Sequence, residues 1–253
     1  MSRPVQPTPV DLGPGVGAVF TTRHGGVSLP PHDELNLAYH VDDDWDRAFA
    51  NRNLVAAATG NRLDRSSFVH QVHGNAVVTV APQQVGTVRL RQGRRDADAL
   101  VTTAVAAPLV ILVADCLPVL LADPVARVVG AAHAGRRGVV SGVVTATIEA
   151  MIEAGAHPGD VRAAIGPGVC ADCYEVPATM ADEVEAAVPG SAATTRTGSP
   201  SVDLVAGVRY QLAALGVAHI SVDGRCTVET PELFSYRRDR VTGRFAGLVW
   251  LEP

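Results

Sequence analysis

Two rhythms alternate along this chain: short apolar runs bounded by turn residues, and stretches with apolar positions at helical spacing. After a proline-rich lead over residues 1–15, Val16–Thr22 predicts a strand. Arg23–Asp44 has no period and predicts a long loop. Asp46–Thr59 predicts a helix stopped by Gly60, with Phe49, Asn53, Leu54, Ala57 and Ala58 along one side. Ser67–His73 alternates, Gly74-Asn75 is a turn signal and Ala76–Val80 returns, so a hairpin is expected. Val88–Arg95 carries four arginines and predicts a solvated edge.

The middle of the chain is more apolar. Pro108–Ala114, Val119–Ala122 and Val128–Ala132 predict buried strands. A helix opens at Gly135–Gly138; Val140, Val143, Val144, Thr147, Ile148, Met151 and Ile152 form its stripe, and Gly155 stops it. Val161–Ile165 is the next strand, ending in Gly166-Pro167-Gly168. Helices are predicted over 178–188 and 204–215, and strands over 219–222 and 248–251. Strands interleaved with helices indicate an α/β protein with mixed β-sheets. No linker interrupts the pattern, so residues 1–253 are expected to form a single domain.

Composition narrows the chemistry. A hydrophobic content of 47% with 19% charged residues describes a globular core. The longest apolar run, residues 104–114, is far short of the ~20 residues that cross a bilayer, so no membrane association is expected. The start lacks an apolar leader, which predicts a cytoplasmic protein. All 21 basic residues are arginine, and the absence of lysine excludes Schiff-base enzymes and Walker-type phosphate loops. A net charge of -5 with few aromatics argues against a nucleic-acid partner. Four cysteines, at 116, 170, 173 and 226, are too few for a disulfide framework in a chain of this size. Cys170 and Cys173 form one Cys-x-x-Cys without a second pair, which argues against a zinc ribbon; with Cys226 they read as core thiols.

At three points an apolar strand runs into a loop beside a metal-binding side chain: Gln71-Val72-His73-Gly74, Ala114-Asp115-Cys116 and Ala132-His133-Ala134-Gly135. The ends of strands in α/β folds are where ligands bind. Alone, each residue is as well explained as a satisfied histidine or a small buried thiol. Together, His73, Cys116 and His133 make a candidate metal site, and Asp115 a candidate orienting or proton-transferring acid. Gly135-Arg136-Arg137-Gly138 at a helix start supplies amides and guanidinium groups suited to an anion, and Arg237-Arg238 reads either as a completion of that site or as solvated surface.

The segments TTRHGGVSLPPHDELNLAYHVDDD, HQVHG, RDADALVT, VADCLPVLLAD, AAHAGRRG, AIGPGVCADCYEV and DGRCTVETPELFSYRRDRVTGRFAGLVWL resemble the YfiH-like laccase-domain family from about residue 16 to 252. Its members have been called polyphenol oxidases and purine nucleoside phosphorylases. The resemblance implies a layered α/β/β/α fold and a zinc ion held by His73, Cys116 and His133. Arg23 and Asn36 match its TRxGG and LNL motifs and become candidate substrate contacts, as do Gln71, Arg136 and Arg137. Departures are Arg136 where the family often has Trp, Asp42 where it has Gly, and Ala50 where it has Glu.

Several functions compete. The resemblance implies phosphorolysis of adenosine, inosine or methylthioadenosine with phosphate as co-substrate, and an added adenosine deaminase activity. A copper polyphenol oxidase is the alternative, although eight histidines without a His-x-His pair are few for a multicopper enzyme. A metal-free hydrolase would use Cys116 as nucleophile and His133 as base. A peptidoglycan-precursor editing factor and a non-catalytic binding protein complete the set. A monomer is expected.

Overall fold

The computed structural model describes residues 3–85 and 95–253. Strands β1 (Thr8–Pro9) and β2 (Val16–Phe20) precede helix α1 (Trp45–Ala58). Strands β3 (Val77–Val80), β4 (Ala99–Thr102), β5 (Leu109–Val113), β6 (Leu117–Asp123) and β7 (Val128–Ala134) lead to helices α2 (Arg136–Val140) and α3 (Val143–Glu153). Strand β8 (Arg162–Ile165), helix α4 (Ala178–Ala187), strands β9 (Ala192–Thr194) and β10 (Pro200–Val202) and helix α5 (Leu204–Ala214) follow. Strand β11 (His219–Val222), helix α6 (Tyr236–Asp239) and strand β12 (Phe245–Leu251) come last.

The strands form a four-stranded antiparallel sheet in the order β1-β2-β12-β5 and a six-stranded mixed sheet in the order β11-β8-β6-β7-β4-β3, with β9 and β10 as a separate pair. Side-chain alternation with period two builds the layers. Leu117, Val119 and Leu121 of β6 face a core shared with Val144 and Ile148 of α3 and Val208 of α5. Leu120 and Ala122 face the other way, onto Phe20, Ile111, Phe245 and Val249 of the four-stranded sheet. The outer face of that sheet, through Val19, Val110, Leu112 and Leu248, packs on Val55 of α1. The result is an α/β/β/α stack. Each fully buried Leu or Phe in it contributes ~1.5–3 kcal/mol of transfer free energy.

Four local features differ from the sequence expectation. Ser67–His73 and Ala76–Val80 do not form a hairpin: β3 pairs in parallel with β4, while Ser67 bridges Leu109 and His70 bridges Asp96. The predicted single helix after Gly135 is two, because Gly142 takes a left-handed φ of 80° and breaks it between α2 and α3. Helix α1 buries Ala48, Asn51, Arg52, Val55 and Ala56, leaving Phe49 and Leu54 exposed. That face is chosen by hydrogen bonds: Asn51 Nδ2 donates to Ser28 Oγ and to the Glu34 and Asn36 carbonyls, and Arg52 Nε to the Leu37 carbonyl. The long loop is thereby fastened to α1. Strands β4, β9 and β10 were unpredicted, each being four residues or fewer. Of the arginine-rich stretch predicted as a solvated edge, residues 88–94 lie outside the described residues.

A candidate metal centre at the ends of three chain segments

Three segments deliver the chemistry to one end of the space between the two large sheets. In β7, Ala132 and Ala134 face the helices, so His133 points the other way and is 3% exposed. Cys116 sits in the turn between β5 and β6, just after Asp115, whose φ is 88°. His73 follows the 67–72 segment with a φ of 62°. Non-glycine residues with positive φ are held there only by their surroundings, and such strain concentrates at working sites.

The donor atoms of His73, Cys116 and His133 all lie within 4.8 Å of one another. His73 Nε2 is 3.8 Å from Cys116 Sγ, and the two imidazoles meet edge to face at 4.7 Å between centroids. Gly135 leaves the room they occupy: a Cβ there would stand 2.7 Å from Cys116 Sγ and 2.9 Å from His73 Cδ2. Asp98, 0% exposed, organises the group. Its Oδ1 accepts from His133 Nδ1 at 2.8 Å and from the His73 amide at 2.9 Å. Its Oδ2 accepts from the Gly74 amide at 2.7 Å and the Val72 amide at 3.2 Å. A carboxylate on Nδ1 fixes the proton there and leaves Nε2 as the lone-pair donor.

Charge follows geometry. Burial opposes ionisation of Cys116, but the neighbouring His133 charge and hydrogen bonds from His133 and His73 outweigh it and hold the thiol down at about 6. Burial likewise opposes protonation of His133, and Cys116 and Asp98 reverse that, raising it to about 9. Asp98 stays below the usual carboxylate range: burial works against it, and His133 with the Gly74 and His73 amides prevails. Without a metal, these shifts favour a thiolate at Cys116 beside an imidazolium at His133. Two imidazoles and one thiolate at this spacing fit a tetrahedral cation with three protein donors.

The cluster opens on a cavity of about 600 Å³ lined also by His40, Gln71, Tyr174, Tyr236, Arg237, Arg240 and Arg244. Gln71 reaches the wall, yet its amide is engaged by the Leu112 backbone, donating to its carbonyl at 2.7 Å and accepting its amide at 2.9 Å. Asp115 has both oxygens occupied: Thr227 and Ser235 hydroxyls donate at 2.6 and 2.7 Å, and the Arg237 amide at 2.6 Å. It ties the C-terminal wall to the β5–β6 turn.

The other sequence candidates lie off the cavity lining. Arg23 is bound to Asp33 and stacked over Phe234. Asn36 is fully buried, accepting from the Ala38 and Arg244 amides and donating to Asp43, so it positions Arg244. Arg136 pairs with Glu183 and influences Tyr174 on the wall, while Arg137 is exposed. The cavity arginines at 237, 240 and 244 come instead from the RRDRVTGR segment, of which the sequence offered only Arg237-Arg238, as part of an anion site or as solvated surface.

Comparison with known proteins agrees with this architecture. Residues 17–252 match the family described as multi-copper polyphenol oxidoreductase laccase. A purine nucleoside phosphorylase of Mycobacterium tuberculosis is 50% identical over 92% of this chain and 91% of its own. Purine nucleoside phosphorylase YfiH of Escherichia coli is 36% identical over 94% of both chains. The crystal structure of YlmD from Geobacillus stearothermophilus superposes with a TM-score of 0.88 at 33% identity, over 95% of this chain and 93% of that one. Among the described residues, no helix is long and apolar enough to cross a membrane.

Proposed function

Since the chain belongs to the multi-copper polyphenol oxidoreductase laccase family, and its relatives along nine-tenths of its length are named purine nucleoside phosphorylases, we propose that it phosphorolyses purine nucleosides. Adenosine or inosine would yield free base and ribose 1-phosphate. The observation that carries this is the placement of the His73–Cys116–His133 cluster and three arginines around one cavity.

In this reading Arg237, Arg240 and Arg244 hold phosphate, because guanidinium forks suit phosphate oxygens and the chain has no lysine to do so. A phosphate oxygen bonds to C1′ of the ribose as the C1′–N9 bond breaks and its electron pair leaves with the base, which takes up the proton that hydrogen phosphate loses. Tyr174 and Tyr236 offer aromatic faces for a purine. Asp98 fixes the His133 tautomer, and Asp115 fixes the wall that carries Arg237. A zinc ion held by His73, Cys116 and His133 would supply a Lewis acid with one open position. Product analysis with adenosine tests the proposal: adenine and ribose 1-phosphate should form only when phosphate is present. Inosine formed without phosphate would make deamination the main activity instead, and unchanged adenosine would end both.

A copper polyphenol oxidase is the second reading, favoured by the family's description and by a His₂Cys set that copper also accepts. Among the described residues, the other cluster of potential ligands contains no histidine, which leaves little to build a multicopper centre. Metal analysis of protein made without added copper separates the two.

A further inference from the structure

A second group of donors gathers behind the cavity wall. The sulfurs of Cys170, Cys173 and Cys226 and a carboxylate oxygen of Glu229 lie within 4.8 Å of one another. They come from two turns of the same design. In Cys170-Ala171-Asp172-Cys173 the Cys173 amide donates to the Cys170 carbonyl at 3.0 Å; in Cys226-Thr227-Val228-Glu229 the Glu229 amide donates to the Cys226 carbonyl at 3.2 Å. Each turn brings ligand-type side chains three residues apart to the same place. The turns are joined by the Thr227 amide on the Gly168 carbonyl at 3.0 Å and the Cys170 amide on Cys226 Sγ at 3.4 Å. A sequence search for a second Cys-x-x-Cys misses this, because the partner turn is Cys-x-x-Glu.

We propose that Cys170, Cys173, Cys226 and Glu229 form a second metal site that holds a structural zinc ion, separate from the cavity cluster. Four protein donors leave a tetrahedral cation no open position, which is the mark of a structural site. Zinc–sulfur bonds of ~2.3 Å set tetrahedral sulfurs roughly 3.8 Å apart, so the observed group needs only a small inward movement. A disulfide explains less: it uses two of three thiols and gives Glu229 no part. Arg196, paired with Glu229 and Asp172, supplies a positive charge at the outer side.

The position gives the ion a task. Val169 and Tyr174 flank the first turn and line the cavity, while Thr227 of the second turn donates to Asp115. A metal between the turns would clamp the wall without touching substrate.

The test uses the full chain carrying Cys116→Ser, which disables the cavity cluster so that bound metal reports on this one. After reduction and dialysis against Zn²⁺, about one zinc per chain should remain, with an X-ray absorption shell of three sulfurs at ~2.3 Å and one oxygen at ~2.0 Å. Adding Cys226→Ser, or Glu229→Gln should the former misfold, should lower zinc retention against a chelator. Wild-type protein should carry one more equivalent than the Cys116→Ser protein. A Cys116→Ser protein that stays metal-free, that retains zinc unchanged when Cys226 or Glu229 is replaced, or that shows a Cys170–Cys173 or Cys170–Cys226 disulfide by mass overturns the proposal.

Discussion

The two donor clusters share sulfur and differ in nearly everything that surrounds it. His73, Cys116 and His133 face a cavity, come from three distant segments and have a carboxylate behind one imidazole. Cys170, Cys173, Cys226 and Glu229 come from two tight turns, and none of them lines that cavity. The contrast teaches that environment divides labour between similar donors. Three donors beside a cavity suit a reactive centre, and four donors in preformed turns suit a clamp. The environment also sets the thiols apart, since Cys116 is held down at about 6 by its imidazole neighbours while Cys173 is pushed up to about 12 by burial and other thiols.

That comparison can be broken at several points. Cys116→Ala should reduce nucleoside turnover by ~10³-fold or more, since a Lewis acid contributes several kcal/mol to charge stabilisation; steady-state assays with adenosine and phosphate measure it, and full activity would remove the cavity cluster from the chemistry. In metal-stripped protein, Cys116 ionises as pH rises through about 6 whereas Cys173 stays protonated until about 12. At pH 7 their thiolate fractions differ by ~10⁵, and the greater intrinsic nucleophilicity of the high-pKa thiolate reduces this to an alkylation preference of ~10²-fold for Cys116. Peptide mass mapping after brief iodoacetamide treatment reads that ratio, and its alkylation rate should rise between pH 5 and 7 and then level off. Equal labelling would mean that the two environments do not differ.

Gly135→Ala places a methyl group 2.7 Å from Cys116 Sγ and 2.9 Å from His73 Cδ2, so the donors must separate. A displacement of that size should cost ~10²-fold in activity, with metal at the Cys170 cluster unchanged. Asp98→Asn keeps the shape but not the charge, so His133 loses its fixed tautomer and several amides lose a carboxylate acceptor. A ~10- to 100-fold loss of metal affinity at the cavity is expected by competition with a chelator. Wild-type affinity there would show that orientation of His133 is dispensable.

How far these features were legible depended on whether their signal was local. The apolar runs that became β5, β6 and β7 declare themselves, and the junctions at His73, Cys116 and His133 were visible as polar interruptions at strand ends. Strand β4 was hidden because Ala99–Thr102 follows charged residues and is only four residues long. The 67–73 segment alternated like a strand, but its Gln71 side chain bonds the Leu112 backbone where a paired strand would. Helix α1 was read from its apolar residues, whereas Asn51 and Arg52 decide its orientation through loop carbonyls that no periodicity reveals. The cavity arginines and the Cys–Glu turn required tertiary proximity. Asp115 read in sequence as an orienting or proton-transferring acid; its three donors come from residues 112 to 122 positions later.

Strand β12 lies between β2 and β5, so the four-stranded sheet has a gap at its centre until Phe245–Leu251 is synthesised. During translation β2 and β5 each present an unpaired backbone edge, the kind of surface that recruits neighbouring chains. Pairing in this half of the molecule therefore waits for β12, and a stop codon shortly before Phe245 would leave two open edges rather than a frayed terminus.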